Sequence, residues 1–418
     1  MGLEEGNRIL ADKGWLEYQD GGFESLSPYS WKHLPVHLAA MKRWDDMATL
    51  LGDTDYFQYA YWRSFDDVCA WWVLVERNSP HTVVNAYVPE LGGKSANGTA
   101  ELSKGWLLMH FGHNKEALTL FKFVQSLARE RGDQELLSRS IGNQALIHKA
   151  WGELDRAMEL HKEQERLCKE LGTKDGLRAC LGNQALIHQA WGELDRAMEL
   201  HKEKERLCKE LGNKDGLQRS LGNQALIHRA WGELDLAMEL HKEQERLCKE
   251  LGNKDGLSGC LGSQALIHRA WGELDRAMEL LKEQERQCKE LGNKDGLSRS
   301  LALQAVLMVS KLDKPREALA LIEEALDIAE KQGFKYLVSK VSEIRDQIRE
   351  IIQSGSAKPG TDDSVKERVL DIPAAHDTAD HRKVSMLNIQ YQQELARWRK
   401  LPWWKRLLMK KPDRPTGK

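Results

Sequence analysis

A phrase of forty residues is repeated four times in succession, and it restricts the fold of this 418-residue chain more than any other feature. The phrase runs from Arg139 to Arg178 and begins again at Ala179, Arg219 and Gly259; the second and third copies agree at 34 of 40 positions. Self-similarity at a fixed period of ~20 to 50 residues marks an array in which each unit buries its apolar face only against its neighbours.

Each copy reads as two helices. Leu221, Gln224, Ala225, His228 and Trp231 fall at helical spacing until Gly232 breaks the run. Leu234, Ala237, Met238, His241, Cys248 and Leu251 then take three- and four-residue steps up to Gly252. Asn253-Lys254-Asp255-Gly256 is turn chemistry, with Asp255 expected to cap the following helix. The unit is therefore a helical hairpin, and Ala225 and Ala237, on facing helices, let the two backbones come close.

The frame from Gly232 to Ala237 resembles the tetratricopeptide repeat, whose usual period is ~34 residues, whereas HEAT and armadillo units lie nearer ~40 to 47. Period alone favours the latter; the glycine-alanine frame favours the former. Asn223-Gln224-Ala225-Leu226-Ile227 is similar to the N-x-A-L stretch of kinesin-light-chain-like repeats. The Leu221-Gly222-Asn223 opening and the Leu251-Gly252-Asn253-Lys254-Asp255 ending resemble the forty-residue repeats of the Pins and LGN group. The resemblance implies an all-α fold, a right-handed α-solenoid of tetratricopeptide helix-turn-helix repeats, whose concave groove holds extended peptides of partner proteins.

A charged fraction of 30% beside a hydrophobic fraction of 41% suits a helical array with thin cores. No apolar run approaches the ~18 residues of a membrane span, the N-terminus lacks a signal-peptide pattern, and Gly6 excludes a myristoylation start. Of seven cysteines, Cys168, Cys208, Cys248 and Cys288 are one position copied along the apolar stripe of the second helix, where a free thiol acts as a small hydrophobe. Cys180 and Cys260 alternate with Ser140, Ser220 and Ser300 at one place in the unit, so no disulfide is required and a reducing, cytoplasmic setting is expected.

Residues 1–53 read differently from the array. Trp15 to Tyr18, Asp20-Gly21-Gly22 and Phe23 to Leu26 suggest a small strand hairpin. Tyr29 to Leu38, followed by Arg43-Trp44-Asp45 and Leu50 to Asp53, resembles the segment that joins the winged-helix domain of NACHT and NB-ARC type signalling ATPases to their sensor repeats. This stretch is read as a winged-helix-like remnant and linker helix. His33 and His37 lie four apart with Pro35 between them and no further ligand nearby, which favours a structural role over a metal. Gly92-Gly93-Lys94-Ser95 ends like a phosphate loop, but the first glycine of that motif would fall at Val88, so nucleotide binding is not expected.

Residues 54–98 read as a helical adaptor in two pieces with a buried run at Trp71 to Val75. The solenoid is expected over 99–353, with about six units and a capping helix. Gly112, Ala117 and Phe121 hold the frame of a degenerate first unit, and Ala318 and Ala325 belong to a divergent last one in which Leu303 and Lys311 replace the recurring asparagine and tryptophan. Tyr336 to Ile352 is the capping helix. A flexible linker over 354–380 leads to a basic, tryptophan-rich tail over 381–418, where Trp403, Trp404, Lys405 and Arg406 suit an anionic membrane surface or an acidic partner.

Stacking places each recurring side chain in a row. Asn143, Asn183 and Asn223 form one, ended by Ser263. The kinesin-light-chain resemblance implies that these asparagines face the groove and bond a peptide backbone; the alternative is that they cap or bridge helices within the array. The copies differ at Lys149, Gln189, Arg229 and Arg269, and at Arg139, Ala179, Arg219 and Gly259, all on the first helix. Such variation tunes charge along a bound segment, although drift at exposed positions would look the same. Trp151, Trp191, Trp231 and Trp271 are expected to pack toward the second helix, and both histidine rows, His148, His188, His228, His268 and His161, His201, His241, to face the core.

No nucleophile, base and orienting group stand out together, so an enzyme is the least favoured class and no cofactor or metal is expected. The expectation is a non-enzymatic scaffold that binds a protein or peptide, without nucleic acid. A sensor arm of a split or truncated signalling ATPase, or a membrane-surface adaptor acting through the tail, are the rivals.

Overall fold

The computed structural model describes residues 2–88, 98–312 and 314–354. Among the described residues there are nineteen α-helices and no strand, and no helix is long and apolar enough to cross a membrane. The chain divides into two compact units, one ending at His148 and the other starting at Lys149. The Gly92 to Ser95 phrase, the linker beyond Ser354 and the tail with Trp403, Trp404, Lys405 and Arg406 lie outside the described residues.

In the first unit, α1 (Leu3–Gly21), α2 (Pro28–Ala40), α3 (Trp44–Gly52), α4 (Thr54–Arg63), α5 (Phe65–Asn78) and α6 (Val83–Tyr87) precede α7 (Gly98–His110), α8 (Asn114–Arg131) and the greater part of α9 (Gln134–Ala150). The strand hairpin expected around Trp15 to Leu26 is instead the end of α1 and a single 3-10 turn, Gly22–Ser25. Trp15 and Tyr18 are three apart, a helical spacing, and Glu17 ties the helix to the next one by accepting from Ser27 N at 3.0 Å and Ser30 Oγ at 2.6 Å. The stretch expected to be helical in two pieces holds three helices, because Asp53, Ser64 and Thr82 each cap a new start with a side-chain oxygen. Within Trp71 to Val75 only Trp72 and Val75 are buried, as a helix requires. Trp72 Nε1 donates to Tyr87 Oη at 2.9 Å, and Tyr87 Oη donates to the Leu51 carbonyl at 2.8 Å. His37 Nδ1 donates to Asn7 Oδ1 at 2.8 Å and its Nε2 shares a hydrogen bond with Tyr29 Oη at 2.9 Å, so the ring is held as a structural group.

The second unit contains α10 (Leu154–Leu171), α11 (Lys174–Ala190), α12 (Leu194–Glu210), α13 (Lys214–Ala230), α14 (Leu234–Leu251), α15 (Lys254–Ala270), α16 (Leu274–Leu291), α17 (Lys294–Leu312), α18 (Pro315–Gln332) and α19 (Lys335–Ser354). Every helix packs on its chain neighbours. In addition α13 touches α15, α15 touches α17 and α17 touches α19, so the first helices of successive hairpins form one layer and the second helices another.

The hairpin bend follows from a glycine. Gly192 takes φ +78°, which lets Glu193 N donate to the His188 carbonyl at 2.9 Å and closes the first helix; Gly232 repeats the device at +81°. At the other end, Asn213 and Asn253 accept from Gly216 N at 2.6 Å and Gly256 N at 2.9 Å. The cap is thus Asn253, not Asp255, which falls in the first turn. Across the junctions, Ala197 and Met198 pack on Ile227, and Ala237 and Met238 pack with Ala225 on Ile267. Each large side chain buried this way contributes roughly 1.5 to 3 kcal/mol before entropy is counted. All seven cysteines are buried free thiols. Cysteine and serine substitute for one another at this place: Ser220 Oγ, Cys260 Sγ and Ser300 Oγ donate to the carbonyls of His201, His241 and Leu281 at 2.8, 3.0 and 2.7 Å, while Ser140 and Cys180 donate to the Leu137 and Leu177 carbonyls of their own helices.

Candidate functional site

The first-helix layer of the second unit carries a stripe that its packing leaves partly open. Asp175, Ala179, Asn183, Leu186 and Ala190 lie along it on α11, and Asp215, Arg219, Asn223, Leu226 and Ala230 on α13, at the three- and four-residue steps of one helix face. Asn183 and Asn223 are half-buried, and among the described residues neither side-chain amide makes a hydrogen bond. Ser263, which ends the row, is buried and returns its hydroxyl to the Gly259 carbonyl at 3.1 Å. Gln189, Arg229 and Arg269 are half-buried near the ends of their helices, and burial lowers the Arg269 pKa. Arg219 is exposed and pairs with Asp215 at 2.8 Å. Lys149, at the start of this unit, is half-buried. Arg139 and Asn143 belong to the first unit, where Arg139 is exposed and Asn143 is buried on α9 without a hydrogen bond from its amide.

A set of polar residues that sequence reading took for helix surface and core stitches the copies together. Gln184 Nε2 donates to Glu165 Oε2 at 2.7 Å, Gln224 to Glu205 at 2.6 Å, Gln264 to Glu245 at 2.7 Å and Gln304 to Glu285 at 2.8 Å. The same carboxylates take Lys169, Lys209, Lys249 and Lys289 at 2.5 to 2.6 Å. Burial pushes the Glu165 carboxyl up, but the bonds from Lys169 and Gln184 outweigh it and hold its pKa below the usual range. The signal was available: a glutamate and a glutamine nineteen apart recur at four successive junctions.

The two histidine rows part company. His161, His201 and His241 are buried, as expected, and desolvation lowers their pKa to about 4, 3 and 4. His188, His228 and His268 are less deeply buried, their side chains 14 to 17% exposed. They stand at the hairpin bend, where Nδ1 meets Glu193, Glu233 and Glu273 at 2.5, 2.5 and 2.6 Å, because the bend brings a glutamate five residues on back over the helix end. Trp191, Trp231 and Trp271 set their rings edge-on to these histidines, with centroids 5.3 to 5.4 Å apart, and stay 37 to 38% exposed.

Two stretches, residues 87–151 and 275–339, match the family model of anaphase-promoting complex subunit 5, which is less than half of the chain. No curated protein sequence matches it. Among solved structures, the chain is similar to a signal transduction ATPase with numerous domains carrying a tetratricopeptide repeat sensor, from Pyrococcus horikoshii, at 11% identity and a TM-score of 0.53. That likeness covers 85% of this chain, which spans about half (50%) of the length of the archaeal protein. The apo quorum sensor NprR from B. thuringiensis is similar at 17% identity and a TM-score of 0.51, over 84% of this chain and 95% of that one. Tetratricopeptide-like repeats of a kinesin light chain from Podospora anserina align at 17% identity over 46% of this chain and 93% of that one, with a TM-score of 0.39.

Proposed function

On this tetratricopeptide-repeat fold, we propose that the chain is a scaffold that holds a peptide segment of a partner protein along the first-helix layer. The observation that carries the reading is the pair Asn183 and Asn223: two amides one repeat apart, half-buried on the same stripe, whose hydrogen-bonding capacity the array leaves unused. An amide offers a donor pair and an acceptor, which match the acceptor and donor of an extended backbone irrespective of its sequence. Leu186 and Leu226 beside them add apolar contact, while Gln189 against Arg229 and Arg269 makes the charge at the helix ends uneven along the array. The second-helix layer supports the opposite role for itself: Arg206 and Arg246 are locked between two glutamates each in an exposed lattice of ion pairs.

A peptide-display selection against the intact chain, repeated with a variant carrying alanine at Asn183 and Asn223, tests this. Selected peptides that lose most of their affinity for the variant support the reading, and peptides that bind both proteins equally reject it. A second reading, a sensor arm working with a separate signalling ATPase, is favoured by the Tyr29 to Leu38 segment; co-purification with such an ATPase that fails after removal of residues 1–53 is its test.

A further inference from the structure

The four near-identical copies differ in one place where difference is costly. At a buried position of the second helix three copies carry glutamine, Gln164, Gln244 and Gln284, and one carries Lys204. Lys204 is only 8% exposed. Its side chain lies stretched across Gly182: a Cβ on that glycine would fall 3.0 Å from Lys204 Cδ and 3.1 Å from Nζ. Gln244 and Gln284 occupy the same seat over Gly222 and Gly262. Among the described residues the Lys204 ammonium has neither a hydrogen bond nor a carboxylate within ion-pair distance. Burying most of a lysine side chain without a partner for its charge carries a desolvation cost, which is why lysines are seldom found so deep unpaired.

Its surroundings make the choice stranger still. One turn away on α12 is Cys208, and into the same space reaches Arg178 from α11, whose Nη1 would be 3.1 Å from a Cβ on Gly216 of α13. Arg219 of α13 is near enough for its charge to act on Lys204. The corresponding trio is Ser138, Gln164 and Ala179 in the first copy, Gln218, Gln244 and Gly259 in the third, and Ser258, Gln284 and Arg299 in the fourth; only here is it Arg178, Lys204 and Arg219. Two departures from the repeat, Arg178 and Lys204, therefore come together within electrostatic reach of Arg219, an arginine that recurs as Arg139 and Arg299 at that place in the unit. Arg178 already meets Asp175 at 2.8 Å and Arg219 meets Asp215 at 2.8 Å, so the two arginines are each matched and the Lys204 charge is left over. Burial, reinforced by Arg178 and Arg219 against the opposing pull of Cys208 and Asp215, lowers the Lys204 pKa to about 8, which keeps the ammonium mostly charged at neutral pH.

We propose that Lys204, framed by Arg178 and Arg219, is the seat for a single carboxylate of the peptide bound on the first-helix layer. One surplus positive charge balances one carboxylate, whereas a dianionic phosphate would leave charge uncompensated. The proposal rests on the peptide-binding reading for the source of the carboxylate, and it assigns the acidic side chain or C-terminus of that peptide to the second and third copies rather than spreading it over the array.

The test uses the intact chain labelled with 13C at lysine Cε and 15N at the asparagine amides, titrated with three capped hexapeptides that differ only in one central residue: glutamate, glutamine or phosphoserine. The glutamate peptide is expected to shift the Lys204 resonance saturably, at least ten-fold more tightly than the glutamine peptide, and K204Q, which restores the residue of the other three copies, is expected to fold normally and abolish that preference. Grafting Q218R, Q244K and G259R into the third copy is expected to create a second such site. A Lys204 signal unmoved by the glutamate peptide, or a preference that survives K204Q, overturns the proposal; a phosphoserine peptide that binds more tightly overturns the carboxylate assignment. Asn183 and Asn223 amide shifts with Lys204 unmoved would sink this inference and leave the peptide face standing, and Lys204 shifts with those amides unmoved would do the reverse.

Discussion

The Gln224 side-chain amide donates to Glu205 at 2.6 Å across the junction between two copies of the repeat, and Glu205 also takes Lys209 at 2.6 Å from its own helix. Gln224 is 3% exposed, so this rung is made in a largely dry environment where losing a partner costs more than at the surface. Gln224→Leu is expected to lower unfolding stability by roughly 2 kcal/mol, the range for a hydrogen bond to a charged group. Arg246→Ala, which removes exposed ion pairs to Glu243 and Glu250, is expected to cost less than ~0.5 kcal/mol. Urea midpoints of the two variants measured side by side check the contrast, and equal losses would contradict it.

The buried histidines set the acid limit. His161 and His241 have their pKa lowered by burial to about 4 and His201 to about 3, from an ordinary value of 6.5. As pH falls below 6.5 the unfolded chain takes up protons that the folded chain refuses, so stability is full above that pH and declines through the window down to about 4. By pH 4 the loss is of the order of 3 kcal/mol per histidine, at ~1.4 kcal/mol per pKa unit. The fourth copy carries Leu281 at this place and holds it 2% exposed. Replacing all three histidines by leucine is therefore expected to flatten the melting temperature between pH 7 and pH 4, and an unchanged slope would place the acid sensitivity elsewhere.

Lys42 and Gly232 make an opposite pair. Lys42 is the one described non-glycine residue at positive φ, +56°, and Arg43 N donates to the Leu38 carbonyl at 2.9 Å in the same pattern that closes the hairpins of the array. Lys42→Gly relieves a left-handed side chain but adds freedom to the unfolded chain, and is expected to raise stability by ~0.5 kcal/mol. Gly232→Ala, with open space around its Cβ but φ at +81°, is expected to lower it by ~1 to 2 kcal/mol through backbone strain alone. Chemical denaturation of both variants gives the two signs.

The hairpin and its period were readable because glycine, alanine and the apolar steps act locally: Gly192 and Gly232 bend where expected, and Ala225 meets Ala237 in the core. What escaped was decided between helices. His188 and His161 look alike on a helical wheel, and only the bend that returns Glu193 over His188 distinguishes them. Trp15 and Tyr18 near a glycine pair read as a strand end because the contact that fixes them as helix, Glu17 with Ser27 and Ser30, spans ten residues or more. Of the candidate binding residues, spacing alone sets Asn183 and Asn223 on the stripe of Ala179 and Arg219, whereas Gln189 and Arg229, six residues on, lie off it. Lys204 could not be read from spacing, since a single lysine among glutamines has no meaning until Arg178 and Arg219 are seen beside it.

Asn183→Ala and Asn223→Ala together should leave folding nearly untouched, within ~0.5 kcal/mol, because neither amide is bonded within the array. A larger loss in thermal unfolding would mean that the amides serve the fold, and would remove the main support for a binding role.

The claim on which the account turns is that partner peptide lies on the first-helix layer. A photo-crosslinking side chain placed at Leu186 or Leu226 on that layer, and in parallel at the exposed positions Glu199 or Glu239 on the second-helix layer, locates it directly in the intact chain with a display-selected peptide. The account predicts covalent capture of the peptide at Leu186 and Leu226 and none at Glu199 and Glu239; capture at the glutamate positions alone would contradict it.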